Sequence, residues 1–191
     1  MKNYLKIASV LSLIALVCAL IIASVYKLTY QMIQDNAIAA ELSTRQAIFP
    51  AYDKDKSDNL ESSNDKILSK ILAKDSSGNE LGYLYTVSET NSYGNITLMV
   101  AIDAYGNVLQ VEILKNEQSF GSTVAEHVKS NYPSSKDNVI YIGIKPEETV
   151  EVGSLTADDV NAIDTKCGAT FGAETVKNLV KAALEDAKGG N

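Results

Sequence analysis

At 191 residues the chain has room for one ordinary domain and an accessory segment. Its net charge of -7 excludes the basic footprint that nucleic-acid binding requires, and 46% apolar residues exclude disorder throughout. One histidine, His127, and two distant cysteines, Cys18 and Cys167, do not supply the usual zinc, haem or iron–sulfur ligand sets. No metal site is assigned, and any redox chemistry falls most easily to an organic cofactor.

Residues 7–25 form an uncharged run of nineteen, IASVLSLIALVCALIIASV. At 1.5 Å per residue it spans roughly 28 Å, close to the hydrocarbon thickness of a bilayer. It is longer than the apolar stretch of a cleaved signal peptide. Val17 is too large for the small residue wanted before a lipidated cysteine at Cys18. Lys2, Lys6 and the amino terminus precede the run and Lys27 follows it, which favours a cytoplasmic N-terminus. The span holds no ionisable residue of the kind that marks an ion path.

Residues 29–49 carry Tyr30, Ile33, Ala37, Ile38, Leu42 and Ala47 near one helical stripe, and Pro50 ends it. Residues 51–65 are polar and read as a loop. Strands are expected over 66–74, 81–87, 96–102 and 108–114, with Gly- and Asx-containing turns at 75–79 and 103–107. A short helix over 121–132 and a strand over 139–144 follow. His127 is expected on the surface of that helix. Asp158 and Asp159 suit helix capping better than a metal pair, because adjacent side chains diverge. Val176, Leu179, Val180, Ala183, Leu184 and Ala187 mark an amphipathic helix that ends at Gly189-Gly190. Strands joined mainly by turns predict an α+β domain with an antiparallel sheet and flanking helices.

The chemistry lies just before that last helix, in Asp164-Thr165-Lys166-Cys167-Gly168-Ala169-Thr170. A small-residue loop running into a helix start offers free N–H groups and the positive end of a dipole, and so can take a phosphate. Thr170 puts a hydroxyl there. The same residues also suit a plain helix cap at Thr170 and a tight turn at Gly168. The segment resembles the flavinylation motif of the FMN-binding domain family, Asp-x-x-[Ser/Thr]-Gly-Ala-[Thr/Ser]. That family includes the RnfG proteins of Rnf electron-transport complexes and a related component of the sodium-pumping NADH:quinone reductase. The resemblance implies FMN attached to Thr170 by a phosphoester, with Asp164, Cys167, Gly168 and Ala169 around it. Cys167 departs from the motif's Ser or Thr.

Two further stretches carry the likeness. The single span with its Ala-rich helix up to Phe49-Pro50 resembles the N-terminal segment of RnfG proteins. Ser92-Tyr93-Gly94-Asn95 resembles the family's Gly-rich turn. Where relatives have a Glu-Thr-Pro-Gly-Leu-Gly-like loop against the flavin, this chain reads Asn116-Glu117-Gln118-Ser119-Phe120-Gly121. Tyr93, Ser119, Phe120 and Gly121 are therefore assigned to the noncovalent flavin contacts. Phe120 suits either stacking on the flavin or the core of the following helix.

The expected organisation is an anchor at 1–27, a connecting helix and loop at 28–65, and an extracytoplasmic FMN-binding domain at 66–191. The resemblance implies an electron-carrying component of a membrane ion-translocating ferredoxin:NAD oxidoreductase. Its partners would be other Rnf-type subunits and a flavin transferase, with no catalytic acid or base of its own. Two alternatives stay open: a stand-alone tethered flavoprotein, and an unflavinylated extracytoplasmic interaction domain.

Overall fold

The computed structural model describes residues 2–133 and 153–189, so the strand expected at 139–144 lies outside the described residues. The chain divides into two units, Met1–Ser43 and Thr44–Asn191. Helix α1 (Lys2–Ile48) is continuous from the apolar run to the turn at Pro50. Within it lies a helix long and apolar enough to cross a membrane, and the chain buries none of its most apolar window. Leu11, Ile14, Leu20 and Ile21 are all exposed, so their burial requires another medium or another chain.

The second unit is built on a five-stranded antiparallel sheet: β1 (Asp58–Leu60), β2 (Ile67–Lys74), β3 (Glu80–Asn91), β4 (Gly94–Ile102) and β5 (Val108–Asn116), in that spatial order. The meander follows from turn chemistry. The β2–β3 and β4–β5 connections repeat one pattern, Asp-x-x-Gly-Asn. Asp75 Oδ1 accepts from the N–H groups of Ser77 and Asn79, and Asp103 Oδ1 from those of Tyr105 and Asn107. Such Asx contacts close a hairpin without help from the core.

Strand β1 corrects the loop reading of residues 51–65. Its three residues are all exposed and show no apolar alternation. They become a strand only by pairing with β2 (Asp58 opposite Leu72, Leu60 opposite Lys70), aided by the Lys74–Asp58 ion pair at 2.7 Å. Long-range pairing here overrides weak local preference.

Register assigns the faces. Tyr85 pairs with Val100 and Val87 with Leu98, and these side chains point to one side. Helix α4 (Thr170–Gly189) covers that side with Val176, Leu179, Val180, Ala183 and Leu184. Helix α2 (Gly121–Asn131) adds Val124 and Val128, and the short α3 (Ala157–Ala162) adds Val160. All are nearly or fully buried, and truncating one such Leu costs about 2–5 kcal/mol. On the other side Phe49 reaches Gly82, where a Cβ would stand 3.1 Å from its ring. Helix α3 has a full capping box, Thr156 with Asp159, which bears out the capping role for Asp159, while Asp158 lies in the first turn without a cap bond.

At the far end of α4, a buried polar network ties the helix to the sheet. Lys70 Nζ lies 2.8 Å from Asp186, and Ser62 and Tyr85 donate to the same carboxylate at 2.6 and 3.2 Å. Lys70 also sits 5.6 Å from the ring centres of Tyr83 and Tyr85. This network fixes the C-terminal end of the helix whose first residue is Thr170.

Candidate functional site: a cleft between two helix starts

The starts of α2 and α4 meet at one cleft of about 200 Å³. It is lined by Tyr93, Gln118, Phe120, Val124 and the run Gly168 to Gly172. Helix α4 begins at Thr170, earlier than its apolar stripe suggests, and its first turn contains Thr170, Phe171 and Gly172. The Ala169 carbonyl receives a helical hydrogen bond from Ala173. Ala169 has no side-chain oxygen to offer the first N–H groups. The start of α2 is similar: Phe120 stands at its cap without a side-chain bond. Neither helix has an acidic residue in its first turn. Two uncapped positive helix ends therefore face one cleft, while α3 satisfies its own start. That arrangement favours an anionic group carrying several acceptor oxygens.

Thr170 is half-buried on the cleft, and its hydroxyl donates to the Cys167 carbonyl at 2.8 Å. That loop is held from both ends. Asp164 accepts from the Lys166 N–H at 2.9 Å, and the Cys167 N–H donates to Thr165 at 2.9 Å. Lys177, on α4, donates to the carbonyls of Asn161 and Ile163 at 2.7 and 2.8 Å, fastening the end of α3 to α4. Cys167 joins the site through its backbone, while its half-buried side chain packs on the core as a small apolar group.

The residues expected for noncovalent contacts divide. Tyr93 and Phe120 line the cleft. Phe120 is 56% exposed, so it is no core residue of α2. Ser119 and Gly121 do not line the cleft. The Ser119 N–H donates to the Tyr93 carbonyl, and the Gly121 carbonyl accepts from Asn116. Asp164 and Cys167 also stand outside the lining, as loop supports. Missed from the sequence were Phe171, Gln118 and Val124. Phe171 is 62% exposed and packs on Tyr93 with ring centres 5.5 Å apart. Its signal was a large aromatic inside an otherwise small-residue motif. Asn91 holds the Tyr93 turn to α4 through Thr175 at 2.9 Å.

Two glycines permit these approaches. A Cβ on Gly172 would run into Val124 Cγ2, and a Cβ on Gly94 would strike the Glu117 carbonyl, at a φ of +132°. Gly172→Ala is expected to cost about 1–3 kcal/mol by overpacking. The double variant Gly172→Ala/Val124→Ala should recover part of that loss in thermal melts. A wild-type Tm for Gly172→Ala would contradict the close packing of α2 on α4.

His127 corrects the surface reading. It is 7% exposed, on the buried face of α2 with Val124 and Val128. Spacing of three and one from those valines was the overlooked signal. Asn131 Nδ2 lies 3.2 Å from Nδ1, which the neutral ring can offer as an acceptor, and among the described residues Nε2 is buried without a partner. Burial pushes the imidazole below its usual pKa, opposed by the charge of Asp164. The unfolded chain thus binds this proton more readily, and stability falls as pH drops below about 6.5. Replacing His127 with Met should flatten the Tm–pH curve below about pH 6.5. An unchanged slope would show that another group carries it.

Among the described residues, no group of three His, Cys, Asp or Glu comes together as a metal site. The fold and cleft define a domain suited to a phosphate-bearing aromatic cofactor, and residues 92–185 match the FMN-binding domain model. Residues 1–48 match the RnfG N-terminal region. The chain belongs to the RnfG family, the flavin-binding subunits of Rnf complexes. No curated protein matches the chain.

Proposed function

We propose that Thr170 carries FMN through a phosphoester and that the chain passes electrons within a membrane-bound, ion-translocating ferredoxin:NAD oxidoreductase. The observation that carries this reading is the Thr170 hydroxyl lying on a cleft bounded by two uncapped helix starts. The residues suit the group. The N–H groups of Phe171 and Gly172 suit phosphate oxygens, and the faces of Tyr93, Phe120 and Phe171 suit a flat ring. At about 200 Å³ the cleft is smaller than the usual enclosed ligand site, so part of the flavin would remain at the surface, within reach of a redox partner.

The flavin, when bound, supplies the redox chemistry. The chain's own residues hold and orient it. Attachment is the work of a flavin transferase using FAD. The Thr170 Oγ–P bond forms as the FAD pyrophosphate bond breaks, AMP leaves, and the hydroxyl proton is released. The Thr170 proton, now given to the Cys167 carbonyl, is lost in that step. Asp164 keeps the turn closed through Lys166, and Cys167 serves through its carbonyl, so a thiol in place of a hydroxyl at position 167 is tolerated.

Residues 1–27 act as a single-pass anchor, 28–65 as a connector, and 66–191 as the extracytoplasmic domain. The charge excess before the span supports a cytoplasmic N-terminus. Tyr26 and Tyr30 stack at 6.1 Å just past the apolar run, where interfacial aromatics belong.

Membrane purification through a tag on this chain tests the assignment. Other Rnf-type subunits should copurify, and the bound flavin should bleach when reduced ferredoxin is added to the complex. A flavinylated chain that purifies alone would favour the stand-alone carrier. A colourless chain, with the transferase active on a control, would favour the interaction domain.

A further inference from the structure

Gln118 is polar, 8% exposed, and part of the cleft lining. Its Nε2 donates to the Gly94 carbonyl, which fixes the two ends of the amide. Oε1 therefore faces the first turn of α4 and would lie 3.4 Å from a Cβ on Gly172. Among the described residues no donor reaches Oε1. Oε1 is thus an acceptor open to the cleft and available to a donor on whatever occupies it.

The surroundings narrow what can satisfy it. Phe120, Val124 and Phe171 have no side-chain donor, and the two helix starts present donors that suit an anion. The cleft thus wants an anion's acceptors and, within one helical turn of Thr170, a neutral donor. A phosphate ester of a polyol offers both a few bonds apart. We propose that Gln118 Oε1 accepts a hydrogen bond from a ribityl hydroxyl of the flavin and so sets the direction in which the ribityl chain leaves Thr170. This rests on the tether at Thr170 proposed above. Gln118 is then a positioning residue: it aims the ring toward Tyr93, Phe120 and Phe171.

The test uses the full chain, coexpressed with the transferase, as wild type, Gln118→Met, Thr170→Ala, and Thr170→Ala/Gln118→Met. Intact mass reports the tether, visible circular dichroism reports ring fixation, and the Tm gap between loaded protein and its Thr170→Ala counterpart reports coupling. Gln118→Met should still gain one FMN. Its flavin dichroism should fall at least twofold and its flavin-dependent Tm gain by about half. Comparing the two Thr170→Ala proteins removes any effect of losing the bond to Gly94. Wild-type dichroism and a wild-type Tm gain in loaded Gln118→Met would overturn the proposal and leave Oε1 to water. A wild-type mass without FMN would overturn the tether itself, and this proposal with it.

Discussion

Thr170→Val is expected to give a folded, colourless protein. Valine keeps the shape of the side chain and removes only the hydroxyl, so the phosphoester cannot form. The structural cost is small, because the hydroxyl makes one hydrogen bond, to the Cys167 carbonyl at 2.8 Å, worth about 1 kcal/mol. Covalent flavin should therefore fall from full to none while Tm changes by only a few degrees. Flavin fluorescence of the denatured gel band reads the first quantity, and a thermal melt the second. A variant band as bright as wild type would move the attachment to another hydroxyl. The neighbouring threonines are poor substitutes. Thr165 precedes the turn, and Thr175 is 6% exposed, donating to the Phe171 carbonyl and accepting from Asn91.

A large stability effect is also expected at Lys70. Its side chain is nearly buried, and its ammonium compensates the Asp186 carboxylate at 2.8 Å. Lys70→Ala removes the cation and leaves the anion in a partly buried place, at a cost of about 3 kcal/mol. For a domain of this size that lowers Tm by about 10 °C. Replacing both partners, as Lys70→Met/Asp186→Leu, should return much of the loss, since a buried pair is often matched by apolar packing of similar volume. Burial opposes ionisation of Asp186, but hydrogen bonds from Lys70 and Ser62 hold its carboxyl below the usual range. Its folded pKa is thus depressed. The associated stability is present above the ordinary carboxylate value and is lost as pH falls through the folded one. Acid unfolding of Lys70→Ala should begin at higher pH than that of wild type. Equal melts for wild type and Lys70→Ala would show that the pair contributes nothing.

The two effects are linked through one helix. Asp186 fixes the far end of α4, and Thr170 begins it. That helix is legible in the sequence because its apolar positions repeat every three to four residues, a purely local signal. The strands are legible for the same reason, since turn residues and β-rich runs mark them locally. Strand β1 is not, because nothing in Asp58-Asn59-Leu60 favours a strand until β2 stands beside it.

The site divides along the same line. The motif from Asp164 to Thr170 is contiguous, so its position can be read directly. The other wall is assembled from the Tyr93 turn, the loop carrying Gln118 and Phe120, and the start of α2. Those contacts depend on distances across the fold, such as the approach of Val124 to Gly172, which spacing cannot reveal. His127 shows the converse error. Its chemistry suggests a surface position, whereas its place beside Val124 and Val128 decides its burial.

The central claim is the covalent flavin at Thr170, and peptide mass tests it most directly. Lys166 and Lys177 bracket the site, so trypsin releases Cys167 to Lys177 as one peptide. Protein matured with the transferase should yield that peptide heavier by FMN less one water, with fragmentation placing the added mass on Thr170. An unmodified peptide from protein matured beside an active transferase would contradict the account.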